Sequence, residues 1–254
     1  MFENIIVELG DGIELITLNR PQVLNALNID TVSELREAFD YAREHDEVKV
    51  IILQGAGDRA FAAGADIAEM RALNPAEGRS MIANGHALMR EMEKLPKPVI
   101  AAIQGYAFGG GFELALACDI RIAADNAVFA FPEPSLGIIP GYGGTQRLAR
   151  LVGASRALYY CMTEERIDVQ SAYEMGLVGK IVKPEELLDE AIHLAENMIR
   201  KSLASQAALK QSIREGLDLS IDDALMLESR IFDRLFSSAE RGERMEAFLE
   251  KHRK

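Results

Sequence analysis

The sequence predicts an α/β fold. Three observations carry that reading: short apolar runs of strand length recur through the first two thirds of the chain, helix-period segments separate them, and from Pro184 onward the pattern is helical throughout.

In order, IIVEL at 5–9 and IELITL at 13–18 alternate around Gly10-Asp11-Gly12, which marks a hairpin with glycines at its tight positions. Val32, Leu35, Phe39 and Ala42 then recur at helical spacing over 31–45, with Thr31 and Glu34 placed as a capping box. The run VKVIIL at 48–53 is continuously apolar, as in a strand buried on both faces. Met81, Leu88, Met92 and Leu95 define a helix over about 80–95, which leads through Pro96 and Pro98 into the strand VIAAI. A glycine cluster, a helix over about 112–118 and short strands near 120–123 and 127–130 follow. Such alternation implies parallel βαβ units covered by helices. Beyond residue 184, Ala191, Leu194, Ala195, Leu225, Leu227, Ile231, Leu235 and Phe236 make apolar stripes that suit either docking on the chain's own core or packing against a neighbouring subunit.

A chain of 254 residues, 48% of them hydrophobic, supports one sizeable domain or a domain with a helical appendage. A net charge of -12 and a pI near 4.9 argue against nucleic-acid or anionic-membrane partners, which would repel the surface. No stretch approaches the roughly 18 apolar residues of a membrane span. The start, MFENIIVELG, lacks the layout of a signal peptide, so a soluble cytoplasmic protein is expected. Cys118 and Cys161 have no CxxC partner and read as small core residues. His45, His86, His193 and His252 lie far from the glycine clusters and resemble neither a metal site nor a nucleophile–histidine pair.

Chemistry is concentrated in glycine-rich places. Gly55-Ala56-Gly57-Asp58-Arg59-Ala60 satisfies the loose dinucleotide pattern, but the chain continues as FAAGAD rather than as a helix, and the acid at the expected distance, Glu77, sits in a loop-like stretch. Small residues in Phe61-Ala62-Ala63-Gly64-Ala65-Asp66 open the backbone to another molecule, and Gly109-Gly110-Gly111 stands at the start of the helix FELALAC. Either cluster also suits a tight turn. Should the N–H groups of Ala65 and Gly110 converge, they form a hole for a developing oxyanion. No nucleophile elbow is present. Glu113 lies in the first turn of the same helix, where an acid also suits the helix dipole. Glu133, between Pro132 and Pro134 in FAFPEPSLGIIPGYGG, is held in apolar surroundings that favour its protonated form. Two such carboxylates can add water to an activated double bond, one accepting a proton from water and the other delivering a proton to carbon.

The blocks LITLNRPQVLNALN, FAAGADIAEM, KPVIAAIQGYAFGGGFELALACDIRIA, FPEPSLGIIPGYGGTQRLARLVG and AYEMGLVGKIV, with the C-terminal AFLEK, resemble the crotonase (enoyl-CoA hydratase/isomerase) superfamily, and most of all its bacterial enoyl-CoA hydratases. The resemblance covers nearly the full length. It implies a spiral of ββα units over residues 1–195 and a helical region over 196–254 that mediates assembly into a homotrimer or a dimer of trimers. It further implies an acyl-CoA thioester as substrate, no separate cofactor and no metal, coenzyme A being part of the substrate. By the same resemblance, Ala65 and Gly110 bind the thioester oxygen, Glu113 takes the proton of water, Glu133 protonates the α-carbon, and Gly141 orients the water. Arg59, Ala63, Asp66 and Ile67 fall at substrate-binding positions, and Met70, Leu73 and Met81 border the acyl pocket. Gln22 and Ala68 stand where relatives often place lysine, removing two cations near the nucleotide end of coenzyme A, while Arg20 and Arg59 keep a basic character there. Glu164 in TEERID and the ERM near 245 also depart from the common pattern and carry no functional reading. Alternatives are a Δ3-Δ2 enoyl-CoA isomerase, which would manage with one acid, another crotonase-family acyl-CoA lyase or hydratase, an RNA-binding or non-catalytic member, and a nicotinamide enzyme.

Overall fold

In the computed structural model, which describes residues 2–251 and so leaves His252 outside, β1 (Ile5–Gly10) and β2 (Ile13–Leu18) form the expected antiparallel hairpin. Its two positive φ values fall on Asp11 (52°) and Gly12 (82°), so these residues make the turn while Gly10 stays in the ladder opposite Ile13. Helix α1 (Ile29–Glu44) starts before the expected capping box. Asn28 caps it, its Oδ1 accepting from the Thr31 N–H at 2.8 Å, which places Thr31 inside the helix. Glu34 is engaged elsewhere. Its carboxylate accepts from the N–H groups of Glu3, Asn4 and Ile5 at 3.0, 2.8 and 3.2 Å and ties the helix to the first strand.

The next segments repeat a pattern. β3 (Val50–Gly55) and β4 (Ala60–Ala62) are followed by α2 (Ile67–Ala72) and α3 (Pro75–Lys94). β5 (Val99–Ile103) and β6 (Tyr106–Phe108) are followed by α4 (Gly110–Ala117). β7 (Ile120–Ala124) and β8 (Val128–Ala130) are followed by α5 (Gly144–Val152) and α6 (Ala154–Thr163). In each pair the first strand joins a six-stranded sheet and the second a four-stranded sheet, so the chain coils as a spiral of ββα units. The large sheet runs β1-β2-β3-β5-β7-β10, parallel from β2 onward, and the small one β4-β6-β8-β9. The remaining elements are β9 (Ile167–Asp168), α7 (Val169–Glu174), β10 (Lys180–Val182) and α8 (Leu187–Ile199).

Both faces of the large sheet are covered, which explains the unbroken apolar runs of β3 and β5. On one side Leu35 and Phe39 of α1, Leu88 and Met92 of α3 and Phe112 of α4 pack with Ile51 and Leu53. On the other, Ile52, Ile100 and Ile122 meet Leu187, Ala191 and Ala195 of α8. Each large side chain so buried contributes about 1.5–3 kcal/mol. Gly55 serves this packing rather than a nucleotide: a Cβ there would run into the carbonyls of Ala60 and Phe61, and the chain beyond it enters β4, not a helix.

The chain divides into two compact units, Met1–Arg200 and Lys201–Lys254. The division expected after residue 195 falls within α8, whose apolar face belongs to the sheet's core. The second unit holds α9 (Leu203–Gly216), α10 (Ile221–Phe236) and α11 (Ala239–Lys251), with Ser202 and Ser220 capping the first two. Of its apolar stripe Ile231 is buried, whereas Leu225 and Phe236 are exposed. Among the described residues no helix is long and apolar enough to cross a membrane.

Candidate active site

Helix α4 is apolar all round and buried along its whole length, and Glu113 is its one ionisable residue. Only 1% exposed, Glu113 is satisfied by backbone: its Oε1 accepts from the N–H groups of Tyr142 at 2.7 Å and Gly144 at 2.6 Å, where the glycine-rich turn runs into the first residue of α5. Burial pushes its pKa up to about 7, against the opposing pull of those amides, of the Arg147 charge and of the Gly141 amide.

Glu133 opens a short 3-10 turn, Glu133–Leu136, between the two prolines. It is buried, and among the described residues its Oε2 has no hydrogen-bond partner. Burial is again the main cause of a pKa raised to about 7; its own backbone N–H opposes the rise, and the charges of Glu113 and Glu164 add to it. Gly109 makes room for this carboxyl. Its φ is +46°, and a Cβ there would stand 2.5 Å from Glu133 Oε1.

Beside the two acids lie two main-chain donors. Gly64, at φ +113°, turns the chain so that the Ala65 nitrogen comes within 3.5 Å of where a Gly110 Cβ would be, and Gly110 begins α4. Among the described residues neither the Ala65 nor the Gly110 N–H donates to an acceptor of the chain. Amides left open at the start of a helix suit a partial negative charge.

These groups border one cavity of about 120 Å³. Ala63, Ala65, Ile67, Gly110, Glu113, Glu133 and Gly141 all line it, so seven of the sequence-derived positions come together. Met70 and Met81 also border it, while Leu73 does not. Arg59 and Asp66 are not among the lining residues either. Arg59 is exposed and gives its carbonyl to the Tyr106 N–H. Asp66 caps α2 and pairs with Arg20 at 2.9 Å, a structural contact that also occupies Arg20. Sequence reasoning passed over Tyr142, Ile82 and Arg147. The ring of Tyr142 lies on Gly85 of α3, where any Cβ would run into it, and Ile82 stands similarly against Gly141. The signal in the sequence was a glycine opposite each large side chain, and only the fold pairs them. Among the described residues no group of three His, Cys, Asp or Glu could hold a metal ion.

Two desolvated carboxylates and two open amides on one cavity, carried by a ββα spiral, define a crotonase-type enzyme. The chain belongs to the enoyl-CoA hydratase/isomerase family, whose model matches residues 8–254. It is 44% identical to the short-chain-enoyl-CoA hydratase of Clostridium acetobutylicum, over 98% of this chain and 96% of that protein. It is 43% identical to the crotonyl-CoA hydratase of Syntrophomonas wolfei, over 99% and 97% of the two chains. The crystal structure of an enoyl-CoA hydratase from Bacillus anthracis superposes with a TM-score of 0.95 at 38% identity, over 98% of this chain and 97% of that one.

Proposed function

We propose that the protein is an enoyl-CoA hydratase that adds water reversibly and syn across a trans-2-enoyl-CoA to give a 3-hydroxyacyl-CoA. The observation that carries the reading is the pair of buried carboxyls on the cavity that also holds the open amides of Ala65 and Gly110. The two amides bind the thioester oxygen. Glu113 accepts a proton as the water oxygen bonds to C3, and the electrons of the double bond move onto the carbonyl oxygen as an enolate. On collapse of the enolate, C2 takes the proton of Glu133. Solvent exchange then restores an ionised Glu113 and a protonated Glu133. The Gly141 amide, already beside Glu113, is placed to steer the attacking water. Coenzyme A enters and leaves as part of the substrate, with no separate cofactor.

The reading of a short acyl chain is supported by the cavity's size, about 120 Å³, slightly below the roughly 150 Å³ that holds a benzene. Assembly as a homotrimer or a dimer of trimers is supported by exposed apolar residues of the second unit such as Leu209, Leu225 and Phe232, and sedimentation giving a clean monomer would contradict it.

The decisive experiment follows loss of the conjugated thioester's ultraviolet absorbance with enoyl-CoAs of graded length, for the wild type and for Glu113→Gln. The variant should lose hydration by roughly 10²–10⁴-fold. Hydration near the original rate would remove Glu113 from its role. Double-bond migration that survives in the variant would identify isomerisation as a second activity.

A further inference from the structure

The amides that hold Glu113 come from a turn with little rigidity of its own, since three of residues 141–144 are glycine. What fixes it lies outside it. Arg147, in α5, reaches back so that its Nη1 donates to the Tyr142 carbonyl at 2.8 Å while its Nε donates to Glu93 Oε1 at 2.7 Å. Glu93 belongs to α3, and the two side chains are only 14% and 8% exposed, so the pair is largely shielded from solvent. Gly143, at φ +99°, is the residue the guanidinium crosses, and a Cβ there would run into Nη1. The same α3 seats the Tyr142 ring at Gly85. A continuous line of contacts thus runs from Glu93 through Arg147 and the Tyr142 peptide to Glu113.

We propose that Arg147, held by Glu93, is a positioning residue for the reaction: it locks the 141–144 turn where its two amides grip Glu113, and so governs how readily that carboxylate accepts a proton. The inference rests on the reading of Glu113 as the base. Around Glu113 stand Tyr142 from the turn, Glu133 from the 3-10 turn and Cys161 from α6, and Arg147 supplies positive charge that draws its pKa back down from the rise caused by burial. Glu93 itself also pairs with Arg90 at 3.0 Å on the outer side.

The test uses the full chain as Arg147→Met, Arg147→Lys and Glu93→Gln. Crotonyl-CoA hydration is measured across pH, and the Glu113 carboxyl is titrated by ¹³C NMR, with Glu113→Gln assigning its signal. Arg147→Met should lower kcat by roughly 10–100-fold with KM changed less than about threefold, as expected of lost orientation. The acid limb of activity and the NMR midpoint should both move up by about one pH unit. Arg147→Lys should recover part of the shift, because it restores the charge without the fork. A folded Arg147→Met whose limb and midpoint stay in place overturns the proposal, as does a raised KM at constant kcat, which would make Arg147 a substrate-binding residue. Should Arg147→Met fail to fold, Glu93→Gln, which keeps the shape and removes the charge that anchors the guanidinium, decides by the same two readouts. Hydration that persists in Glu113→Gln would defeat the base assignment separately, since the NMR midpoint reports the clamp whatever Glu113 does in catalysis.

Discussion

Replacing Gly109 by alanine should damage catalysis more than its size suggests. The backbone there has φ +46°, which costs a residue bearing a Cβ on the order of 1–2 kcal/mol. The new methyl would start 2.5 Å from Glu133 Oε1, so the carboxyl must retreat by about 1 Å to reach ordinary contact. Crowding of this kind costs a further 1–3 kcal/mol or so. With roughly 2–4 °C lost per kcal/mol in a chain of this length, melting should fall by about 5–15 °C. The larger effect is on rate: a misplacement of about 1 Å at a reacting group costs roughly 10²-fold. Hydration of crotonyl-CoA, followed by ultraviolet absorbance at a temperature where the variant is folded, should show kcat down by about that factor. A folded Gly109→Ala enzyme with kcat within about threefold of wild type would refute the claim that this glycine exists to seat the Glu133 carboxyl.

Other consequences concern protons. The proposed mechanism needs Glu113 ionised and Glu133 protonated; both carboxyls are raised to about 7 and the charge of the first raises the second, so kcat/KM should be bell-shaped with its maximum near neutrality. The acid limb reports protonation of Glu113 and the alkaline limb deprotonation of Glu133, and a flat profile between pH 5 and 9 would contradict the assignment. Away from the site, Glu14 on β2 is fully buried with both oxygens unpartnered among the described residues, and burial raises its pKa from 4.5 to about 7 despite the nearby Lys97 and His45. A carboxyl raised in the folded state supports folding fully below pH 4.5 and loses that support as pH climbs through 7. Glu14→Gln should therefore raise the melting temperature by about 5 °C at pH 8 and hardly at all at pH 4.5, as calorimetry would show; an equal gain at both would argue against an ionised Glu14.

Much of this was legible in the sequence. The hairpin, β3, β5 and α4 declare themselves because period and apolarity extend over five or more residues. Strands β4 and β6 do not: each has three residues, and AFA and YAF become strands only because neighbouring turns of the spiral pair with them. The start of α1 departs from the capping-box expectation for a local reason. Thr31 and Glu34 have the right spacing, yet Asn28 offers its Oδ1 three residues earlier and Glu34 finds three unpaired amides at the chain's start. Glu133 could be recognised because a carboxyl between prolines among large apolar residues has little access to water. Arg147 could not, since its importance depends on Glu93, which lies 54 positions away in sequence and meets it only because α3 and α5 both pack on α4.

The spiral also has a bearing on how such a protein can change. The coil of β3 and β4 ends near Ala65, that of β5 and β6 at Gly110 and Glu113, and that of β7 and β8 at Glu133. Successive coils thus act as separate sockets that open onto one chamber. Altering the fitting in the third leaves the amides of the first two and the Glu113 carboxyl where they were, so a single loop can be edited while the rest of the scaffold stands.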